Sequence, residues 1–358
     1  MEREKFPPRL LKLCAVAAVT TVVYILANIP AVAEAVFARG VTRWAGWLLS
    51  RITNYIPVSF YEWIAVLLVL GALALIVLLV VWLCKKNFAR VRGALYRLLL
   101  AGLCVLLAFG VLYAPLYDRN SVYSALGLEK REVSEEDVFA AAEYYIAQLN
   151  GLSAAFSRDG EGNILPPHGF EETADLLNAE YDKLSGGYFA GYEVRPKQVV
   201  LSVPMTYLGI TGIYFPFTAE ANVNVNIPAY ELPATMAHEM AHAKGVSQEG
   251  EANLTSYVLC LRSKNDYLRY SGLMNAAAAL VNALPEESAS ALREKFAPEI
   301  LQEYANASAH YAKYDSFLDD LSSFFNDLFL KSNGVESGTR SYSQTTRGLV
   351  ALYYELSA

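Results

Sequence analysis

Three long apolar runs constrain this chain before anything else does. Trp63 to Leu83 carries no charge, and Leu10 to Ile29 and Leu98 to Tyr117 are of similar length. A run of about 20 apolar residues crosses the hydrocarbon of a bilayer as a helix, because a helix satisfies its own backbone polar groups there. At 358 residues and 54% hydrophobic, the chain is too apolar for one wholly soluble protein. Residues 1–117 therefore read as a membrane domain with three transmembrane helices, and residues 118–358 as a second domain. The first run is long for a signal peptide, and no small-residue cleavage site stands out before Pro30, so it reads as a retained span.

Basic residues set the expected orientation. Arg3, Lys5, Arg9 and Lys12 precede or open the first span, and Lys85, Lys86, Arg90, Arg92 and Arg97 fill the link between the second and third. The other link, Pro30 to Glu62, holds only Arg39, Arg43 and Arg51. The expectation is a multi-pass protein of the cell membrane with a cytoplasmic N-terminus and an extracytoplasmic C-terminal domain. Of 29 Lys+Arg and 36 Asp+Glu, the first 117 residues hold 12 and 4, which leaves the second domain with 17 and 32, a net charge of −15. Such a domain has no basic patch for nucleic acid, and the expected partners are the lipid bilayer and a peptide or protein substrate.

The outer link mixes Val36, Phe37, Val41, Trp44, Trp47 and Leu48 with arginines, the pattern of an amphipathic helix lying at the interface. Cys14, Cys84 and Cys104 fall in or beside the spans. Cys260 is then alone in the second domain and reads as packed core.

In a chain with only 4 histidines, two stand four apart in Thr235-Met-Ala-His-Glu-Met-Ala-His-Ala-Lys-Gly245. On a helix, i and i+4 share a face, so His238 and His242 can offer two imidazole nitrogens to one metal ion. Glu239 between them can reach a water bound to that ion and take its proton. This HExxH arrangement resembles that of the zinc metallopeptidases, and the expected cofactor is Zn2+. A catalytic zinc needs a third protein ligand and one open position. Gly245 can take the left-handed conformation that ends a helix, and Ser247 can cap a second one whose first turn holds Glu249. Glu249 is the expected third ligand and Glu251 its rival, since residues two apart face different sides of a helix.

Around the motif, Ser134-Glu-Glu-Asp137 reads as the capped start of a helix to Leu149, and Gly151–Pro167 as a loop ending at a surface histidine, His168. Lys197–Val203 and Ala221–Ile227 read as strands, with a glycine-punctuated aromatic segment between them. Asn222, Asn224 and Asn226 fall on one face of the second strand, either its solvated side or a surface for substrate. Pro233–Lys244 reads as the metal helix, and Leu273–Leu284, Glu287–Lys295, Pro298–Asn306 and Tyr311–Leu330 as further helices. A glycine-punctuated loop, 331–342, precedes a last helix. Tyr342 or His310 can donate a hydrogen bond to an oxyanion, and Tyr342 is the candidate catalytic residue besides Glu239.

Two further resemblances sharpen the expectation. Glu249-Gly-Glu-Ala-Asn253 resembles the Glu-x-x-Ala-Asp stretch of membrane-bound zinc peptidases of the CAAX prenyl protease type, which implies that Glu249 is the ligand and that Asn253 stands where those enzymes have an orienting Asp. The short spacing is closer to the metzincins, but Gln248 occupies their third His position. Over most of its length the chain looks most like a family of bacterial membrane proteins with an HExxH centre, catalogued as a domain of unknown function. These resemblances imply a mainly α chain, with three N-terminal transmembrane helices and an α+β zincin-like, gluzincin-like exported domain of small sheet and HExxH helix. They also imply a membrane-anchored zinc metallopeptidase working outside the cytoplasm. The alternative is a catalytically silent zincin-fold envelope protein that binds or senses a peptide.

Overall fold

A computed structural model describes residues 8–184, 186–320, 322–323 and 343–357. Of the expected helix Tyr311–Leu330, Leu321 and residues 324–330 lie outside the described residues, as do the loop 331–342 and Tyr342 itself.

Among the described residues, three helices are long and apolar enough to cross a membrane: α1 (Pro8–Ala27), α4 (Phe60–Cys84) and α5 (Phe88–Leu112). The third ends five residues before the expected Tyr117. Pro115 stops the α-helix, and Ala114–Asp118 form a 3-10 turn whose Leu116 and Tyr117 are buried. The outer link is helical from Pro30 to Thr53, as α2 (Pro30–Val32), a wider-wound π segment (Ala33–Val41) and α3 (Thr42–Thr53), and irregular from there to α4. It exposes Val36, Trp44, Trp47 and Ile52, whereas Phe37 is buried. Two arginines of this link find polar partners. Arg43 donates to the Gly187 and Tyr188 carbonyls, and Arg39 pairs with Glu34.

Beyond Asp118 the described residues are mainly helical with one small sheet. Ser134 and Asp137 form a reciprocal cap on α6 (Glu135–Ser153), as their spacing predicts. α7 (Phe170–Tyr181) leads to β1 (Lys197–Val199), α8 (Ser202–Thr206), β2 (Gly212–Phe215) and β3 (Glu220–Asn224). The sheet order is β1-β3-β2, with β1 parallel and β2 antiparallel to β3. The expected strand Lys197–Val203 is thus cut short at Val199, and the aromatic segment supplies a strand that periodicity alone did not reveal. α9 (Leu232–Ala243), α10 (Glu249–Arg262), α11 (Asp266–Asn282), α12 (Glu286–Arg293), α13 (Pro298–Ala312) and α14 (Gln344–Leu356) follow.

One apolar core joins α6, α9, α10, α11 and α14, with Tyr145, Met236, Met240, Leu254, Leu268 and Leu349 fully enclosed. Each such side chain stabilises the fold by about 1.5–3 kcal/mol relative to exposure. Cys260 is in this core, and burial pushes its thiol pKa up, as its place in an apolar run suggests.

Asn222 and Asn224 are fully buried, so β3 has no solvated side. Asn222 accepts from Ser59 Oγ, and Asn224 donates to Thr206 Oγ1 and the Ile210 carbonyl. Beside them, buried Glu220 accepts the backbone N–H groups of Phe60 and Tyr61 at 3.1 Å each. These are unpaired donors at the positive end of α4, so the sheet caps a membrane helix. Glu220→Ala should destabilise the full chain by about 1–3 kcal/mol, read as a lower thermal midpoint in detergent, and Glu220→Gln by less.

Candidate metal centre

α9 and α10 meet at a sharp turn on Gly245, whose φ is +102°, the backbone its position predicts. Ser247 does not cap the second helix. Gln248 occupies that place without a side-chain cap, and Ser247 Oγ is buried without a partner among the described residues. The turn is held from the membrane side. Arg119, six residues beyond Tyr113, donates to the Gly245 carbonyl at 2.7 Å and pairs with Glu34 at 3.1 Å. Gln248, where a metzincin has its third histidine, donates to the Tyr117 carbonyl and points away from the histidines' ligand atoms.

This turn folds the start of α10 back over α9. His238 Nε2 lies 3.0 Å from His242 Nε2 and 3.2 Å from Glu249 Oε2, and the second Glu249 oxygen is 3.6 Å from His242. One ligand atom from each of the three lies within 4.8 Å of the others. Glu251 faces the opposite way, accepting from the Val122 N–H and from Gln344 Nε2. The geometry therefore gathers Glu249, not its rival, with the histidines.

His242 is oriented by two partners on its other nitrogen. Nδ1 is 2.7 Å from the Val246 carbonyl and 3.1 Å from the Tyr113 hydroxyl. A proton on Nδ1 satisfies the carbonyl and leaves the Nε2 lone pair aimed at the cluster. Asn253 lines the cleft, but among the described residues the orienting contacts to His242 come from Val246 and Tyr113.

Charge in the cluster is unbalanced. Burial opposes ionisation of Glu249, yet the histidines hold its carboxyl well below the usual range. Burial likewise opposes charge on His242, but Glu249 and Glu239 outweigh it and raise the imidazole to about 9. Both shifts express one attraction, between the Glu249 carboxylate and the imidazoles packed against it. Two imidazoles and a carboxylate with converging lone pairs form a donor set that suits zinc.

Glu239 stands beside this set, buried, with Oε2 lacking any hydrogen-bond partner among the described residues. Burial raises its carboxyl pKa, against the pull of the histidines and the Tyr214 N–H. β2 packs directly on it. A Cβ at Gly212 would lie 2.5 Å from Glu239 Oε1, so only glycine leaves room for the carboxylate. A cleft of about 950 Å³ opens here, between β2 and α9, with Val105, Leu106 and Phe109 of α5 in its wall.

The other sequence candidates sit elsewhere. His310 faces the Asn226 carbonyl, and His168 lies between Glu172 and Asn265. Tyr342 is outside the described residues. Tyr113 was not singled out by sequence, because its link to His242 crosses 129 positions. The only local hint is that Tyr113 and Tyr117 follow an apolar helix four residues apart.

A family described as a protein of unknown function (DUF3810) matches residues 37–350, and the chain belongs to it. No curated protein and no solved structure matches the chain significantly.

The full chain, purified in detergent and offered zinc, should retain about one ion per chain by elemental analysis. His238→Ala and Glu249→Gln should weaken that binding more than tenfold, whereas Glu251→Gln should leave it unchanged.

Proposed function

We propose that this member of the DUF3810 family is a membrane-anchored, zinc-dependent peptidase of the zincin type. The observation that carries the reading is the buried Glu239 carboxylate, whose Oε2 has no hydrogen-bond partner among the described residues, beside the converging His238, His242 and Glu249. A site that only bound a structural ion would have no use for a desolvated carboxylate next to it.

In this reading His238, His242 and Glu249 hold zinc, which when bound supplies Lewis acidity to a water molecule and to the scissile carbonyl. Glu239 takes one proton from the attacking water as the C–O bond forms. It returns that proton to the leaving nitrogen as the C–N bond breaks, so the products are a carboxylic acid and an amine. Burial suits Glu239 to this work, because a raised pKa makes the carboxylate a stronger base. Val246 and Tyr113 hold His242 in the tautomer that leaves Nε2 free. β2 lies at the edge of the sheet beside Glu239, where an extended peptide backbone can add as a further strand.

The distribution of basic residues supports placing the domain outside the cytoplasm. A silent zincin-fold protein that senses a peptide would have the same cleft, and the state of Glu239 favours the enzyme over it.

Glu239→Gln should abolish hydrolysis of a degenerate peptide pool while zinc content stays at the wild-type level. Gly212→Ala should cut the rate at least tenfold, also without loss of zinc, because the new methyl group displaces the carboxylate. Full activity in Glu239→Gln would sink the assignment.

A further inference from the structure

The cleft has two walls of different character, and each meets one of the long apolar helices. One is α5. Val105 and Leu106, 55% and 51% exposed, and Phe109 line the same cavity as His238, Glu239 and His242. Tyr113, one helical turn beyond Phe109, touches His242. The other wall is β2, which runs from Gly212 against Glu239 to Phe215. Phe215 packs on Tyr61 in the first turn of α4, with ring centroids 5.3 Å apart, and on Phe217 at 5.2 Å. The strand edge thus leads from the outer end of one apolar helix to the candidate base, opposite the flank of another.

Among the described residues, little of either helix is covered by protein. The apolar window of α4 is 0% buried, and that of α5 is 6% buried. A soluble peptide gains nothing from an apolar wall that continues down a membrane-spanning helix. A lipid chain could lie on that wall, but it has no backbone to pair with β2. A polypeptide that leaves the bilayer matches both features: its helical span lies along α5, and its first extended residues add to the strand edge.

We propose that the cleft takes the juxtamembrane segment of a membrane-spanning polypeptide and that this is the substrate class of the peptidase. The inference rests on the peptidase reading for its chemistry and on the two walls for its specificity. An extended chain advances about 3.3 Å per residue, so the path from Phe215 to Gly212 covers about 10 Å, and the bond cut is about three to five residues from the end of the substrate's span.

The test uses the full chain, zinc-loaded and reconstituted in lipid vesicles, with two probes. One is a synthetic apolar helix of about 20 residues carrying a degenerate tail of about twelve residues, and the other is the tail alone. In a Glu239→Gln background, a photo-crosslinking benzoylphenylalanine replaces Leu106, or Val19 of α1 as a control. Capture of the spanning probe at Leu106 at least tenfold above both the free tail and the Val19 control is expected. Equal capture of the free tail, or crosslinks to lipid alone, would overturn the proposal. Wild-type protein should cut the spanning probe within about five residues of its helix, read by mass spectrometry. Cleavage of both probes at one rate removes the substrate inference and leaves the peptidase standing. Capture of the spanning probe without cleavage keeps the docking surface and removes the peptidase.

Discussion

A single guanidinium couples the membrane region to the candidate centre. Arg119 follows the last membrane helix, is almost fully buried, and divides its donors among Glu34, the Gly245 carbonyl and the Tyr188 carbonyl while lying on the Tyr188 ring. A buried ion pair is weak as a source of net stability, since desolvation offsets the attraction. Its value is specificity: removing any partner would leave a charge or a carbonyl unpaired in the interior. Of the backbone carbonyls available, the one chosen belongs to the glycine that turns α9 into α10. The approach of Glu249 to the two histidines therefore depends on a residue far outside the motif.

The same logic recurs on the other side of the cleft. Glu220 accepts the first N–H groups of α4, and Asn222 meets the Ser59 hydroxyl that caps that helix. A three-stranded sheet is small to stand alone, and much of what it buries is polar. Here each of these polar groups is matched by a helix end or a nearby carbonyl, so β3 is enclosed without being apolar. That is why its alternation of Asn with Ala and Val, read by period alone, suggests an exposed face that the structure does not have.

Legibility from sequence followed the range of the interaction. The apolar spans, the Ser134 cap, the Gly245 turn and the metal helix are each specified within a few residues by hydrophobic length, hydrogen-bond geometry or backbone freedom, and each lies where local reasoning puts it. The gathering of Glu249 with His238 and His242 was within reach for the same reason, being a turn of six residues. What escaped depends on distant partners. β2 has no alternation to betray it and exists because β3 and α9 flank it. Glu251 is drawn off by Val122 and Gln344, and Tyr113 reaches His242 across more than a third of the chain. The early end of α5 is local in origin, since Pro115 stands within the apolar run.

The Tyr113 contact also bears on how the protein is made. Chains are synthesised N-terminus first, and their domains fold as they emerge. Glu34, Ser59, Tyr113 and Arg119 all precede His238 in the chain, so these residues are already made before the first histidine of the candidate centre leaves the ribosome. The helices that anchor the protein thus serve as a template laid down in advance, and the late-arriving α9 and α10 close onto it.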